Sequence, residues 1–235
     1  MRPLVISHAA CAGHAPENTL AGIRAALRLG ADAIEIDVQT SKDGAPVLMH
    51  DLTVDRTTSG SGAVAGLTLE ELRTLDAGDG PVPSLAEVLE LTVGKALLVA
   101  EIKAPGGEQA IVDAIRRAGA LSEVMVWSFI PGVLESMRCV EPAIPGGLLV
   151  APQAMSSWPS MRDLALRLGL QAVSLFHAGI TDDMVRAARR SALTVYAWTA
   201  DAEADIQRLI ELGVDGIVTN FPDRALALLA QHTRS

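Results

Sequence analysis

Two apolar stretches carry charged residues at alternate positions near their ends: Ala33-Ile34-Glu35-Ile36-Asp37-Val38 and Leu97-Leu98-Val99-Ala100-Glu101-Ile102-Lys103. The side chains of a β-strand point alternately to its two faces. Glu35 and Asp37 therefore share a face of the first predicted strand. Glu101 and Lys103 share a face of the second strand in the same way. Because desolvating an unpaired carboxylate costs several kcal/mol, a buried strand tolerates two on one face only where a cation or hydrogen-bond donors meet them.

The three acids and one amine on these strands indicate a site for a hard divalent cation and an anionic substrate. The alternative interpretation is structural, with each acid capping a neighbouring helix or pairing with a lysine or arginine. Because the acidic pattern occurs on two strands and histidines accompany it, we favour the cation site.

Strand and helix patterns alternate along the 235 residues, and the apolar strands predict a parallel sheet. Strands are predicted at Leu4–His8, Ala33–Gln39, Pro46–His50, Ala96–Lys103, Val124–Ser128, Gly147–Val150, Ala172–Leu175, Thr194–Trp198 and Val214–Val218. About eight such units without a linker predict one domain, residues 1–235, with an α/β fold that closes as a (β/α)8 TIM barrel. A doubly wound sheet is the alternative. Residues 51–83 are predicted to form a short excursion over the barrel mouth.

Capping signals mark several helices. A Ser or Thr followed three residues later by Glu predicts helix starts in Thr68–Leu75 and Ser84–Leu91. Asn18 or Thr19 can cap the first helix. Further helices are predicted at Glu108–Ala118, Val133–Val140, Ser160–Leu168, Asp182–Arg190, Ala202–Leu212 and Pro222–Gln231.

The composition excludes several classes of partner. The formal net charge is −9 and no basic run occurs, so neither nucleic acid nor an anionic membrane surface is an expected partner. No apolar run reaches about 18 residues, so no membrane span is expected. The N-terminus lacks the apolar length of a signal peptide, and Cys11 and Cys139 have neither zinc-site nor disulfide spacing, which favours the reducing cytoplasm. The oligomeric state stays open, and a homodimer is one option for a barrel.

In a TIM barrel the C-terminal ends of the strands carry the chemistry. The residues predicted to lie there are His8, Glu35, Asp37, His50, Glu101, Lys103, Ser128, Phe129, His177 and Trp198. Phe129 and Trp198 are predicted to wall a pocket for an alcohol. His14 and Cys11 lie in the first loop, where a substrate contact is a further hypothesis for each.

Short motifs occur in order along nearly the whole chain: His8, Pro16-Glu17-Asn18-Thr19, Glu35-x-Asp37, Asp43-Gly44, His50-Asp51 with Arg56-Thr57-Thr58, Leu75-Asp76-Ala77-Gly78, Pro83-Ser84-Leu85, Glu101-x-Lys103, Ala197-Trp198-Thr199 and Gly213-Val214-Asp215-Gly216-Ile217-Val218-Thr219-Asn220-Phe221-Pro222. In this order and spacing they resemble the glycerophosphodiester phosphodiesterase family. The combination is far more specific than any single motif.

The resemblance implies a (β/α)8 barrel that hydrolyses glycerophosphodiesters with one divalent cation, Mg²⁺ or Ca²⁺. It implies Glu35, Asp37 and Glu101 as metal ligands, His8 and His50 as the catalytic acid/base pair, and Lys103 as a phosphate contact. For Lys103, neutralising Glu101 is the alternative role.

Two positions depart from the family pattern. The family usually begins His-Arg-Gly, with an arginine that contacts the substrate phosphate, and here the run is His8-Ala9-Ala10. A methyl group cannot replace the charge-assisted hydrogen bonds of a guanidinium, and their loss weakens transition-state binding by a few kcal/mol. The family's closing Thr-Asp-x-Pro is here Thr219-Asn220-Phe221-Pro222.

The predicted reaction is hydrolysis of a small phosphodiester, by default a glycerophosphodiester cleaved to glycerol 3-phosphate and an alcohol. A divalent cation on three carboxylates neutralises a phosphate oxygen, while one histidine deprotonates the nucleophile and the other protonates the departing alkoxide. We hypothesise that His50 is the general acid and His8 the general base, with water or an adjacent substrate hydroxyl as nucleophile. The alternatives are the same chemistry on a sugar-phosphate or lysophospholipid-like diester, which Ala9 favours, and a catalytically degenerate binding barrel.

Overall fold

The strands form one sheet that curves until its ends meet. A computed structural model describes residues 2–232 and places the strands at β1 Leu4–Ser7, β2 Ala33–Thr40, β3 Pro46–Leu48, β4 Leu97–Ile102, β5 Val124–Ser128, β6 Gly146–Val150, β7 Ala172–Phe176, β8 Thr194–Trp198 and β9 Gly216–Thr219. Parallel pairs join β1 to β2, β2 to β4, each later strand to the next, and β9 back to β1. Eight parallel strands therefore close a barrel, which confirms the predicted (β/α)8 TIM fold over the doubly wound sheet.

The strand β3 lies outside the barrel, because it pairs antiparallel with β2 and sets Leu48 opposite Val38. The turn between the two strands contains Gly44 at φ 84°, a left-handed conformation that glycine adopts without strain. The strand predicted at Pro46–His50 ends earlier, at Leu48. His50 therefore reaches the barrel mouth from a hairpin added to β2, not from a barrel strand.

Eight helices of the described chain cover the outside of the barrel: α1 Leu20–Leu29, α3 Leu85–Thr92, α4 Glu108–Arg117, α5 Pro131–Val140, α6 Trp158–Arg167, α7 Asp182–Arg190, α8 Glu203–Leu212 and α9 Pro222–His232. The short helix α2 Leu69–Leu72 lies in the segment between β3 and α3. Short 3₁₀ segments occupy Val64–Gly66, Pro152–Ser157 and His177–Gly179. Among residues 2–232, no helix has both the length and the apolar character needed to cross a bilayer.

The helix starts follow the capping chemistry of the sequence. Both predicted capping boxes form, at the starts of α2 and α3. Thr19, not Asn18, caps α1, because its hydroxyl accepts a hydrogen bond from the Gly22 amide. The helix predicted at Thr68–Leu75 is shorter and ends at Leu72, because the chain then changes to i→i+3 hydrogen bonds.

Alternate residues of the barrel strands divide between two apolar cores. One set packs inside the barrel and forms an interior layer: Ile6, Ala33, Val99, Trp127, Leu149, Ala172, Tyr196 and Val218. The other set, which includes Ile34 and Ile36 of β2, packs against the helices. Glu35 and Asp37 alternate with these two isoleucines and therefore point into the barrel, beside the interior layer.

Residues 51–83 connect β3 to α3 and pack around a small core that they share with Val47 and Met49. That core contains Val47, Met49, Val54, Val64, Leu72, Ala77 and Val82. Isolated bridges join Thr53 to Ala63 and Asp76 to Pro81. The segment places Arg56 at the barrel mouth beside His8.

Candidate active site

Three carboxylates from two neighbouring strands meet at the barrel mouth. Glu35 and Asp37 extend from β2 and Glu101 from β4, where the register sets Asp37 opposite Glu101. One oxygen of each carboxylate lies within 4.8 Å of the others, and each residue is at most 9% exposed. The alternation of side chains along two paired strands is sufficient to bring these groups together.

Lys103 is a cation in direct contact with this cluster: its Nζ lies 2.7 Å from Oε1 of Glu101 and 3.3 Å from Oδ1 of Asp37. Burial raises the pKa of Glu35 well above its usual value, and the charges of Asp37 and Glu101 raise it further. Burial also raises the pKa of Glu101, although the Lys103 ammonium opposes this shift. Burial acts to lower the pKa of Lys103, but the neighbouring carboxylates outweigh it and hold that pKa above its ordinary value.

Hydrogen bonds orient two of the three carboxylates. The Ala9 N–H donates to Oε2 of Glu35 at 2.8 Å. Asn18 and Asp37 bond reciprocally: Nδ2 of Asn18 donates to Oδ2 of Asp37 at 2.7 Å, and the Asp37 N–H donates to Oδ1 of Asn18 at 2.9 Å. Asn18 adopts φ 55° to make this contact. Each of these two carboxylates is thus held through one of its oxygens.

This set of donors fits a divalent cation. Carboxylate oxygens are the ligands that Mg²⁺ and Ca²⁺ prefer, and their separation allows one ion to reach all three groups. Three carboxylates against one ammonium leave two negative charges in a buried place, which a divalent ion compensates. Glu35, Asp37 and Glu101 can therefore hold the metal, and an all-oxygen set suits either ion.

Two histidines line the same cavity as the carboxylates. His8 directly follows β1, and its Nδ1 lies 2.8 Å from Oδ1 of Asn220. His50 follows β3, and its Nδ1 lies 2.7 Å from Oδ1 of Asp51. Because a carboxylate only accepts hydrogen bonds, Nδ1 of His50 carries a proton and Nε2 is the nitrogen left for chemistry.

Arg56 holds the partner of His50 in place. Its Nε donates to Oδ2 of Asp51 at 2.6 Å, and its two terminal nitrogens donate to Glu17 at 2.6 and 3.0 Å. Arg56, with a smaller contribution from His50, keeps the pKa of Asp51 well below its usual range. Glu17 belongs to the loop before α1, so these bonds tie the segment 51–83 to the β1 side of the mouth. We call Glu17, Asp51 and Arg56 the arginine clamp.

The cavity has a volume of about 240 Å³ and a partly aromatic wall. Phe129 and Trp198 meet edge to face, with ring centroids 5.4 Å apart. Nε1 of Trp198 donates to the Ser174 carbonyl at 3.0 Å, which fixes the indole. Trp127 and Leu149 of the interior layer also line the cavity. Charged groups and apolar walls together suit a small molecule with an anionic group and a carbon skeleton.

A second cavity of about 450 Å³ shares His8 and His50 with the first. Its lining includes Ala9, Arg56 and Asn220. Because position 9 is an alanine, it contributes only a methyl group to this cavity. Ala9 is 4% exposed and has φ 45°. The two histidines therefore border both the carboxylate cavity and a larger space beside Ala9.

Known proteins resemble this chain in sequence and in fold. Residues 8–224 match the family described as "Glycerophosphoryl diester phosphodiesterase family". The chain belongs to this family. It is 37% identical to the glycerophosphodiester phosphodiesterase of Caldanaerobacter subterraneus subsp. tengcongensis, over 97% of this chain and 98% of that protein. The family membership confirms the resemblance predicted from the motifs and makes the chain a phosphoric diester hydrolase.

Two solved structures of the family superpose on the barrel. The Oleispira antarctica phosphodiesterase, in complex with the product sn-glycerol-3-phosphate, has a TM-score of 0.85 and 27% identity over 97% of each chain. The glycerophosphodiester phosphodiesterase of Agrobacterium tumefaciens C58 has a TM-score of 0.85 and 27% identity, over 96% of this chain and 99% of that one. Both likenesses extend over nearly the whole of this chain.

The predicted site residues of this phosphodiesterase lie around one cavity: His8, Glu35, Asp37, His50, Glu101, Lys103, Phe129 and Trp198. Lys103 contacts Glu101, as the alternative interpretation of that residue predicted, and it also contacts Asp37. Its contact with phosphate stays a prediction.

Three further candidates from the sequence make other contacts. Nε2 of His14 lies 2.8 Å from Oδ1 of Asp223. Cys11 is fully buried. Nδ1 of His177 lies 3.6 Å from Oδ1 of Asp205, longer than a hydrogen bond. In the part of the chain that the structure describes, the linings of the two cavities do not include His14, Cys11 or His177.

Four residues that orient the site groups have no predicted role in the sequence: Glu17, Arg56, Asp201 and Asn220. The available signal was that most of them are polar residues inside the family motifs. Some of their contacts join distant positions: His8 and Asn220 lie 212 residues apart. The spacing of a sequence does not reveal such partners.

Proposed function

We propose that this enzyme hydrolyses a glycerophosphodiester to glycerol 3-phosphate and an alcohol. One observation carries the proposal: two imidazoles, three carboxylates and one ammonium line a single cavity together with three aromatic side chains. The related phosphodiesterase of Oleispira antarctica holds sn-glycerol-3-phosphate as product, which supports the glycerol phosphate half of the substrate.

The charged side of the cavity would bind the phosphate. Glu35, Asp37 and Glu101 would hold a divalent cation, which would supply positive charge to the phosphate and lower the pKa of the attacking hydroxyl group. The Lys103 ammonium has three N–H donors, so it can contact a phosphate oxygen while it stays paired with Glu101. Phe129 and Trp198 would pack against the glycerol carbons.

We assign His50 as the general acid and His8 as the general base. The arginine clamp shares one guanidinium between two carboxylates, so it keeps a net negative charge beside His50. Nδ1 of His50 contacts a charged carboxylate, whereas Nδ1 of His8 faces an uncharged amide carbonyl. His50 is therefore suited to give a proton to the leaving alkoxide. His8 accepts one from water or from a substrate hydroxyl.

A different diester is the second candidate, because the cavity beside Ala9 has space for a bulkier group. That cavity borders both histidines and has a volume of about 450 Å³. A sugar-phosphate or lysophospholipid-like diester could place its head group there, with the same acid/base chemistry. The homodimer and the cytoplasmic location stay predictions from the sequence.

Release of glycerol 3-phosphate tests the proposal. The purified chain would be assayed with glycerophosphocholine and glycerophosphoethanolamine in Mg²⁺, in Ca²⁺ and in EDTA. We expect release that EDTA and Glu101→Gln each abolish, because both remove the cation from the cluster. Glu90→Gln is the matched control, since Glu90 is an exposed residue of α3 and its loss should leave the rate unchanged.

The other outcomes separate the candidates. Turnover of bis(p-nitrophenyl) phosphate without release of glycerol 3-phosphate would contradict the glycerol substrate and support the second diester class. A panel of sugar phosphodiesters would then identify the head group. Absence of turnover with every diester, in either cation, would contradict hydrolysis and support a degenerate binding barrel.

A further inference from the structure

We propose that Asp201 and Asn220 are positioning residues that hold His8 in one tautomer, with Nδ1 protonated and Nε2 free to accept a proton. The inference rests on the proposed function, because it names the atom with which His8 would act as the base. We call Asp201 and Asn220 the carboxylate–amide pair.

Three neighbouring strands bring the pair to His8. His8 follows β1, Asn220 follows β9, and Asp201 lies shortly after the end of β8. These strands are adjacent in the barrel, in the order β8, β9 and β1. The His8 N–H donates to the Thr219 carbonyl at 2.9 Å, so the register of β1 against β9 sets the imidazole beside the Asn220 amide.

Asp201 fixes the direction of the Asn220 side chain. Its Oδ1 accepts from the Asn220 N–H at 2.8 Å and from the Thr219 hydroxyl at 3.0 Å, and its Oδ2 accepts from Nδ2 of Asn220 at 2.7 Å. A carboxylate accepts hydrogen bonds and cannot donate them, so the NH₂ of Asn220 must face Asp201. The amide oxygen then faces His8, at 2.8 Å from Nδ1.

The orientation of the amide determines the protonation of the ring. An amide oxygen only accepts, so Nδ1 of His8 must donate. A neutral imidazole carries one proton, and Nε2 therefore keeps its lone pair. In water the neutral histidine side chain favours the other tautomer, with the proton on Nε2. The carboxylate–amide pair thus reverses that preference on a ring that lines both cavities.

The pair also gives a physical meaning to the asparagine at position 220. A carboxylate at that position would face Asp201 across 2.7 Å, where two negative charges repel. The amide instead gives one donor to Asp201 and one acceptor to His8. Asp201 and Asn220 are therefore complementary: exchanging a carboxylate for an amide, or the reverse, at only one of the two positions removes the match between donor and acceptor.

Isosteric variants test this complementarity. In Asp201→Asn the Asn220 amide loses the partner that fixes its direction, so it can rotate and present NH₂ to His8. In Asn220→Asp two carboxylates oppose each other. The double variant, Asp201→Asn with Asn220→Asp, restores one donor and one acceptor and again presents a pure acceptor to His8.

The tautomer is measured by long-range ¹H–¹⁵N NMR of the ¹⁵N-histidine-labelled protein, with the His8 signal identified by its loss in His8→Gln. We expect Nδ1–H in the wild type and in the double variant, and a tautomer mixture in Asp201→Asn. With bis(p-nitrophenyl) phosphate, we expect kcat to fall about 100-fold in Asp201→Asn because the base is misoriented. KM should change by less than about threefold, and the double variant should regain most of the rate.

Asp215→Asn is the matched control. Oδ2 of Asp215 accepts from the Val195 N–H at 2.8 Å, at the opposite ends of the same strands. The Asp215→Asn variant should have a lower melting temperature, with the His8 tautomer and kcat unchanged. An Nε2–H tautomer in the wild type, or an unchanged tautomer and kcat in Asp201→Asn, would overturn the inference. The NMR measurement needs no substrate, so its failure is distinct from a failure to hydrolyse glycerophosphodiesters.

Discussion

Glu35 is 3% exposed and crowded by two other carboxylates, so it binds a proton more readily than an ordinary glutamate. Protons and a divalent cation compete for the same oxygens of this cluster. Because the pKa of Glu35 is raised above 4.5, the competition begins at a higher pH than it would for exposed acids. The chemistry of the site is therefore sensitive to pH through its metal ligands.

We expect the apparent affinity for Mg²⁺ or Ca²⁺ to fall as the pH is lowered through the raised pKa of Glu35. The decrease should approach about tenfold per pH unit when one proton is displaced per ion. Isothermal titration calorimetry at pH 7.5, 6.5 and 5.5 measures it, with Glu90→Gln as the control that keeps the same dependence. Equal affinities at the three pH values would contradict the prediction.

The two histidines are expected to respond differently to the leaving group. His50→Ala should lose less activity on bis(p-nitrophenyl) phosphate than on glycerophosphocholine, because p-nitrophenolate departs without a proton. His8→Ala should lose similar activity on both substrates, since both need a base. In His50→Ala, the loss of activity on glycerophosphocholine should reach about 100-fold or more, which is the usual contribution of a general acid. If the ratio of the activity losses on the two substrates were the same in His50→Ala and His8→Ala, the assignment would be rejected.

We expect the residue at position 9 to influence how much positive charge contacts the phosphate. Ala9 already has φ 45°, so an arginine there adds little backbone strain, and its side chain would extend into the cavity beside His8. We expect Ala9→Arg to raise kcat/KM for glycerophosphocholine roughly tenfold through charge-assisted hydrogen bonds. Ala12→Arg, which adds the same charge to the same cavity, should give a smaller gain. An unchanged or lower rate in Ala9→Arg would reject this explanation.

At the scale of secondary-structure elements, His50 depends on a hairpin and a segment outside the barrel. The strand β3 pairs antiparallel with β2. Residues 51–83 follow β3 and pack around the small core that they share with Val47 and Met49. The arginine clamp joins this segment to the loop before α1. His50 is thus positioned by a contact between elements and not by a barrel strand alone.

Removal of the clamp should affect catalysis more than stability. We expect Arg56→Ala to lower kcat about 10- to 100-fold, because Asp51 loses the group that orients it toward His50. The melting temperature should change little, since exposed ion pairs contribute only about 0–1 kcal/mol. Arg73→Ala is the control: Arg73 lies in the same segment and bonds Glu87 at 2.7 Å. A similar loss of kcat in both variants would contradict a specific role for the clamp.

At the scale of the whole molecule, the carboxylate cluster opposes the stability of the closed barrel. The folded chain holds the Glu35 proton more tightly than the unfolded chain does. The stability of the cation-free protein should therefore fall as the pH rises from 4.5 toward that raised pKa. A cation that binds only the folded barrel reverses this effect.

Mg²⁺ or Ca²⁺ should consequently raise the melting temperature at pH 7.5. At a concentration about 100 times the dissociation constant, the gain is about 2.7 kcal/mol, which corresponds to roughly 5–10 °C for a chain of this size. Scanning calorimetry in cation and in EDTA measures the shift. Glu35→Gln should abolish most of the shift, whereas Glu90→Gln should keep it. A full shift in Glu35→Gln would show that the cation binds elsewhere.

The sequence by itself determined the barrel and the carboxylate cluster. Alternating strand and helix patterns fixed the fold class, because each strand needs covering by a helix on its outer face. The period of two along β2 and β4 put Glu35, Asp37 and Glu101 inside the barrel, because that period is a property of any strand. The Ser/Thr and Glu capping boxes likewise formed where their spacing indicated.

Only the tertiary structure decided what orients these groups. Asn18 could cap α1 by its position, yet it bonds Asp37 because a barrel strand brings that carboxylate to it. The arginine clamp and the carboxylate–amide pair exist because loops from separate strands meet at one end of the barrel. Local spacing fixes which face a side chain takes, whereas its partner depends on how distant strands close the sheet.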